Sequence, residues 1–89
     1  MLDDATKKTL LPRIKRITGQ LEGVGRMVEE ERYCIDIVDQ VNAIRRALEQ
    51  VALIIMKRHV ESCVAESIRT RKGNDKIGEL ISAIDRFIR

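Results

Sequence analysis

The chain is almost without aromatic residues: its 89 positions hold one tyrosine, one phenylalanine and no tryptophan. Any core must therefore be aliphatic, and the stacking platforms that hold single-stranded nucleic acids are missing. Proline occurs once, at position 12, and the longest uninterrupted apolar run is Val51 to Met56. That run is far shorter than the roughly 18 residues that suggest a membrane span. The opening stretch MLDDATKKTL has no apolar segment of signal-peptide type. Two cysteines are too few for a secreted disulfide scaffold. No strand-like alternation, internal repeat or low-complexity tract occurs. These absences make the expected location cytoplasmic, with no membrane partner.

What is abundant is charge beside aliphatic surface: 35% charged and 44% hydrophobic residues. That combination fits long amphipathic helices, and the length fits one small domain spanning 1–89. The expected fold is all-α, a three-helix protomer with a long central helix. Asp3, Asp4 or Thr6 can cap the first helix, whose regular part is expected to begin near Pro12, since proline is tolerated in a first turn. Leu10, Ile14, Ile17, Leu21, Val24 and Val28 then follow a heptad spacing. Gly19, Gly23 and Gly25 lower helix propensity and are expected at close helix approaches or a bend.

A charged corner, Glu29 to Arg32, leads into the second helix, which runs without glycine or proline from about Tyr33 to about Thr70. Ile37, Val41, Ile44, Leu48, Val51 and Ile55 repeat the heptad spacing and are expected to pack on the first helix as an antiparallel hairpin. Val38, Ala52 and Met56 run beside that seam as candidates for a dimer contact. Residues 71–75 break the helix, with Gly73 expected in a left-handed conformation and Asn74 or Asp75 as the next cap. The third helix carries Ile77, Leu80, Ile81, Ile84, Phe87 and Ile88 on one face. At about 14 residues it is marginal alone and must dock.

Cys34, His59 and Cys63 are the only cysteines and the only histidine. At about 100° per residue, His59 and Cys63 fall about 20° to either side of Cys34 around the central helix. The rise of about 1.5 Å per residue puts Cys34 roughly 37 Å from His59 and about 43 Å from Cys63. A metal holds sulfur and nitrogen at about 2.0–2.3 Å, so one helix cannot close such a site. Two antiparallel copies can, with two symmetric sites per dimer. Each residue alone has a plainer reading, as a small buried thiol or a solvated imidazole. It is the shared stripe, with His59 and Cys63 one turn apart, that argues for a ligand set. Two thiolates and an imidazole suit Cu(I), while Zn(II) prefers a fourth ligand. No phosphate loop or Ser-His-Asp arrangement is present, and a small bundle offers little room for a cleft, so no enzyme is expected.

The net charge is only +3, but Arg13, Arg16 and Gln20 lie at i, i+3 and i+7, with Lys15 beside them. They form an expected exposed row, and Arg45 and Arg46 add charge mid-way along the second helix. No helix-turn-helix signature accompanies them.

The run Arg13-Ile14-Lys15-Arg16-Ile17-Thr18-Gly19-Gln20-Leu21-Glu22-Gly23, then Tyr33-Cys34, Asn42-Ala43-Ile44-Arg45 and His59-Val60-Glu61-Ser62-Cys63, resembles the CsoR/RcnR family of bacterial transcriptional repressors over nearly the whole chain. The Cys-His-Cys set is similar to its copper(I)-sensing branch. The resemblance implies a tetramer, a dimer of antiparallel helical dimers, that binds double-stranded operator DNA as the apo-protein. Cu(I) as regulatory ligand then releases it, and copper export genes are transcribed. By the same resemblance Tyr33 and Glu79 occupy positions that hydrogen-bond around the ligand histidine. Arg13, Arg16, Gln20 and Arg45 match positions implicated in DNA contact. The nickel/cobalt branch instead carries an N-terminal histidine and a histidine in place of Cys63. A sulfur-sensing repressor keeping the two thiols, or a sensor of Zn(II) or Ni(II), is the alternative.

Overall fold

The computed structural model describes residues 2–70 and 73–88; side chains at 63, 64, 67, 68, 70 and 73–77 lie outside that description. Its order is α1 (Asp4–Glu29), α2 (Cys34–Thr70) and α3 (Gly73–Ile88). The described residues contain no strand. α1 starts where its cap dictates. Asp3 is extended, and its Oδ1 accepts the Thr6 amide at 2.8 Å, satisfying a donor that the first turn leaves orphaned. Asp4 adds negative charge at the positive end of the helix dipole.

The helix does not wait for Pro12, as the sequence led us to expect. It runs from Asp4 with Pro12 inside it. A proline within a helix costs about 3 kcal/mol, because it lacks a donor and crowds the preceding turn. Burying a leucine contributes about 1.5–3 kcal/mol, and Leu10 is the most buried apolar residue among those described, at 3% exposure. With the Asp3 cap contributing about 1 kcal/mol more, the first two turns hold.

The turn after α1 closes by hydrogen bonds alone. The Arg32 amide donates to the Met27 carbonyl at 2.9 Å and the Glu31 amide to Val28 at 3.1 Å. This nested pair places Glu31 in the left-handed region, φ 55°, a position usually taken by glycine. Arg32 and Glu30 sit 3.8 Å apart but are both well exposed, so their ion pair contributes little.

Two compact units divide the chain, Leu2–Ile55 and the part from Met56 onward. The first is the expected antiparallel hairpin, with a core of Leu10, Ile17, Ile44 and Val51 supported by Val24, Ala47 and Ile54. Only half of each heptad seam enters it. Ile14, Leu21 and Val28 on α1 remain exposed, as do Val41, Leu48 and Ile55 on α2. In this pair only one of the two lines of each heptad stripe faces the other helix. The second line is left open in the single chain.

The glycines do not mark close approaches between these helices. A Cβ at Gly19 or Gly25 would meet nothing within 4 Å, and one at Gly23 only the Arg26 guanidinium at 3.6 Å. Nor does Gly73 adopt the expected left-handed conformation: no described glycine has positive φ, and Gly73 opens α3. The side chains of the expected caps Asn74 and Asp75 are outside the described residues, as is that of Ile77. In the second unit α3 half-buries Leu80 and Ile84 and exposes Ile81 and Ile88.

Candidate metal centre and nucleic-acid interface

Cys34 is the first residue of α2, an exposed free thiol. It is not the small buried hydrophobe that an isolated helical cysteine usually is. Tyr33 precedes it, 68% exposed, and its carbonyl takes the Ile37 amide at 3.2 Å to start the helix. The same helix carries His59, half-buried, and Cys63 one turn beyond. The Cys63 side chain lies outside the described residues, but its helical backbone puts it at the i+4 neighbour position of His59. Among the described residues no three His, Cys, Asp or Glu side chains converge. Glu79 is exposed on α3. The donors suit a soft metal ion: an accessible sulfur at the head of α2, and an imidazole and a second sulfur spaced by one helical turn near its end.

Arg13, Lys15 and Arg16 are all exposed along α1, and Arg45 and Arg46 are exposed on α2. Gln20 departs from its expected place in an open row. It is half-buried, and its Oε1 is removed from solvent without a hydrogen-bond partner. It lines a cleft of about 370 Å³ at the turn end of the hairpin with Arg26, Arg32 and Gln40. Gln20 shares that cleft with Gly23 and Val24, a placement that the i, i+3, i+7 spacing by itself does not reveal. Of the expected row on α1, the exposed members are thus Arg13, Lys15 and Arg16. Glu49 is exposed one turn after Arg45 and is the sole acidic residue between Asp39 and Glu61.

The chain is thus a three-helix protein with a long central helix, thiol and imidazole side chains toward the two ends of that helix, and exposed basic side chains on α1 and α2. The model of the metal-sensitive transcriptional repressor family matches residues 6–86, and the chain belongs to that family. It is 40% identical over 81 residues to the copper-sensing transcriptional repressor CsoR of Bacillus subtilis (strain 168), covering 91% of this chain and 80% of that one. The crystal structure of the copper-sensing repressor CsoR with Cu(I) from Geobacillus thermodenitrificans NG80-2 superimposes with a TM-score of 0.91 at 40% identity, covering 100% of this chain and 93% of that one. The nickel-responsive transcriptional regulator InrS gives a TM-score of 0.80 at 36% identity, with 90% of each chain covered. No described helix is long and apolar enough to cross a membrane.

Proposed function

We propose that this protein is a copper(I)-responsive transcriptional repressor, binding operator DNA as the apo-protein and leaving it when Cu(I) binds, so that copper export genes are transcribed. The observation that carries the reading is the donor set itself: an exposed thiol at the head of α2 and a His-x-x-x-Cys pair near its end. The similarity to repressors named copper-sensing supports it. Cys34 of one chain, with His59 and Cys63 of a second, would hold the metal between antiparallel α2 helices. Three soft donors satisfy Cu(I) without the fourth ligand that Zn(II) prefers. The exposed half-seams of α1 and α2 are the apolar surface such a dimer, and a tetramer built from two of them, would cover.

The whole chain, 1–89, would then act as one DNA-binding and metal-sensing domain. Arg13, Lys15, Arg16 and Arg46 would reach phosphates, which supply most of the affinity of such contacts. His59, ligating through one ring nitrogen, keeps the other to donate to Glu79 or Tyr33, and such outer bonds orient a metal ligand. Through Glu79 this bond would tie the site to α3 and from there to the DNA-binding form.

Two other inducers have observations in their favour: Ni(II), through the similarity to InrS, and sulfane sulfur, through the free Cys34 thiol. One titration separates them. Apo-protein bound to a labelled operator is titrated with Cu(I), Zn(II), Ni(II) and a sulfane-sulfur donor while anisotropy is followed. Release by Cu(I) at about one ion per chain, lost in His59→Ala, supports the copper reading. Release by sulfane sulfur that survives His59→Ala, or by Ni(II) alone, replaces it.

A further inference from the structure

Arg45 stands on an apolar stripe where an unpaired charge does not belong. It is exposed between Val41 and Leu48, which are 47% and 51% exposed. Counting around α2 from Cys34, Arg45 lies about 20° away and Glu49 about 60° away, on the same side. Any second helix that covers the Cys34 stripe therefore covers Arg45 and desolvates its guanidinium, which is costly without a carboxylate. Arg45 and Glu49 are spaced i, i+4 in one helix, yet neither joins an ion pair among the described residues. Between Asp39 and Glu61, α2 carries no other acidic residue than Glu49.

The register comes from an independent source. In an antiparallel pair of identical helices the numbers of facing residues add to a constant. Cys34 facing His59 requires 93, and Cys34 facing Cys63 requires 97. Arg45 facing Glu49 gives 94, inside that window. The two-fold axis that builds the metal site thus also sets Arg45 opposite Glu49, twice. We propose that Arg45 and Glu49 form a reciprocal pair of ion pairs across the α2–α2 contact between two copies of this chain. The pair fixes the register at which Cys34 meets His59 and Cys63. Arg45 is then a positioning residue for the sensing site and not part of the DNA surface expected from sequence. The inference rests on the intersubunit site proposed above.

The test uses two full-length charge reversals, Arg45→Glu and Glu49→Arg, alone and mixed. Each variant on its own sets like charges against each other at both crossings. In a mixed dimer every crossing again joins a guanidinium to a carboxylate, although within each chain positions 45 and 49 still match in sign. Each variant alone should dimerise about tenfold or more weakly than the native chain, because like charges at a closed contact are strongly unfavourable. An equimolar mixture should dimerise within about threefold of native and regain Cu(I) binding. If the variants are unfolded alone, recovery of helix on mixing supports the pair and absence of recovery overturns it. Variants that dimerise like the native chain, or a mixture no better than its parents, overturn it too. So does loss of DNA affinity in Arg45→Glu with dimerisation intact. Should the native chain bind no Cu(I), the copper reading fails, while sedimentation of the metal-free mixture still decides the ion pair.

Discussion

At the scale of single residues, the proposed function assigns metal binding to three soft donors and DNA contact to a few cations. Exchanging His59 for alanine removes the nitrogen donor and leaves two thiols. Cu(I) affinity, measured by competition with a chelator, should fall about 100-fold or more, since even outer-shell losses cost about 10–100-fold. Operator affinity of the metal-free His59→Ala protein should stay within about threefold of native, because phosphate contacts carry that affinity. Arg16→Ala should do the reverse, weakening operator binding and flattening its salt dependence by about one phosphate's worth. Metal affinity should be unchanged, and an unchanged salt slope would remove Arg16 from the surface. That Cys34, His59 and Cys63 share one long helix was readable from sequence, because the segment holds neither glycine nor proline. Gln20 was not, because its burial depends on how far α1 is rotated against α2, and only packing decides a rotation of a few tens of degrees. The places of Tyr33 and Glu79 depend on tertiary contacts as well, so spacing could not assign them.

At the scale of the elements, the hairpin was readable and its details were not. Heptad spacing in α1 and α2 forecast an antiparallel pair, and Leu10, Ile17, Ile44 and Val51 form its core. The same spacing placed Ile14, Leu21, Val41 and Leu48 in that seam, yet they are exposed. A periodic pattern shows which face is apolar, not how many neighbours share it. The turn was hidden for a different reason. Its left-handed residue is Glu31 instead of the glycine that announces such a turn. A non-glycine residue there costs about 1–2 kcal/mol, part of which a glycine returns in unfolded-chain entropy. Glu31→Gly should therefore stabilise the protein by about 0.5–1 kcal/mol, seen as a higher midpoint in urea with an unchanged slope. A lower midpoint would mean that the Glu31 side chain itself matters. Pro12 was read as a boundary because its local cost was visible, whereas the burial of Leu10 that offsets it belongs to the tertiary structure.

At the scale of the whole molecule, the proposed functional unit of more than one copy would account both for the open half-seams and for the separated donors. Thermal unfolding should then depend on protein concentration, with the midpoint rising as the chain is concentrated, because association stabilises by mass action. A midpoint constant over a hundredfold range would indicate a self-sufficient monomer. The sharpest test is complementation between subunits. Cys34→Ala and Cys63→Ala each break every site in their own homodimers, but a mixed dimer retains one complete set: Cys34 from one chain, His59 and Cys63 from the other. After subunit exchange, verified by mass-tagged chains, Cu(I) binding should rise above both parents to about one tight site per mixed dimer. Exchange without any gain in tight Cu(I) binding would contradict a sensing site shared between two chains.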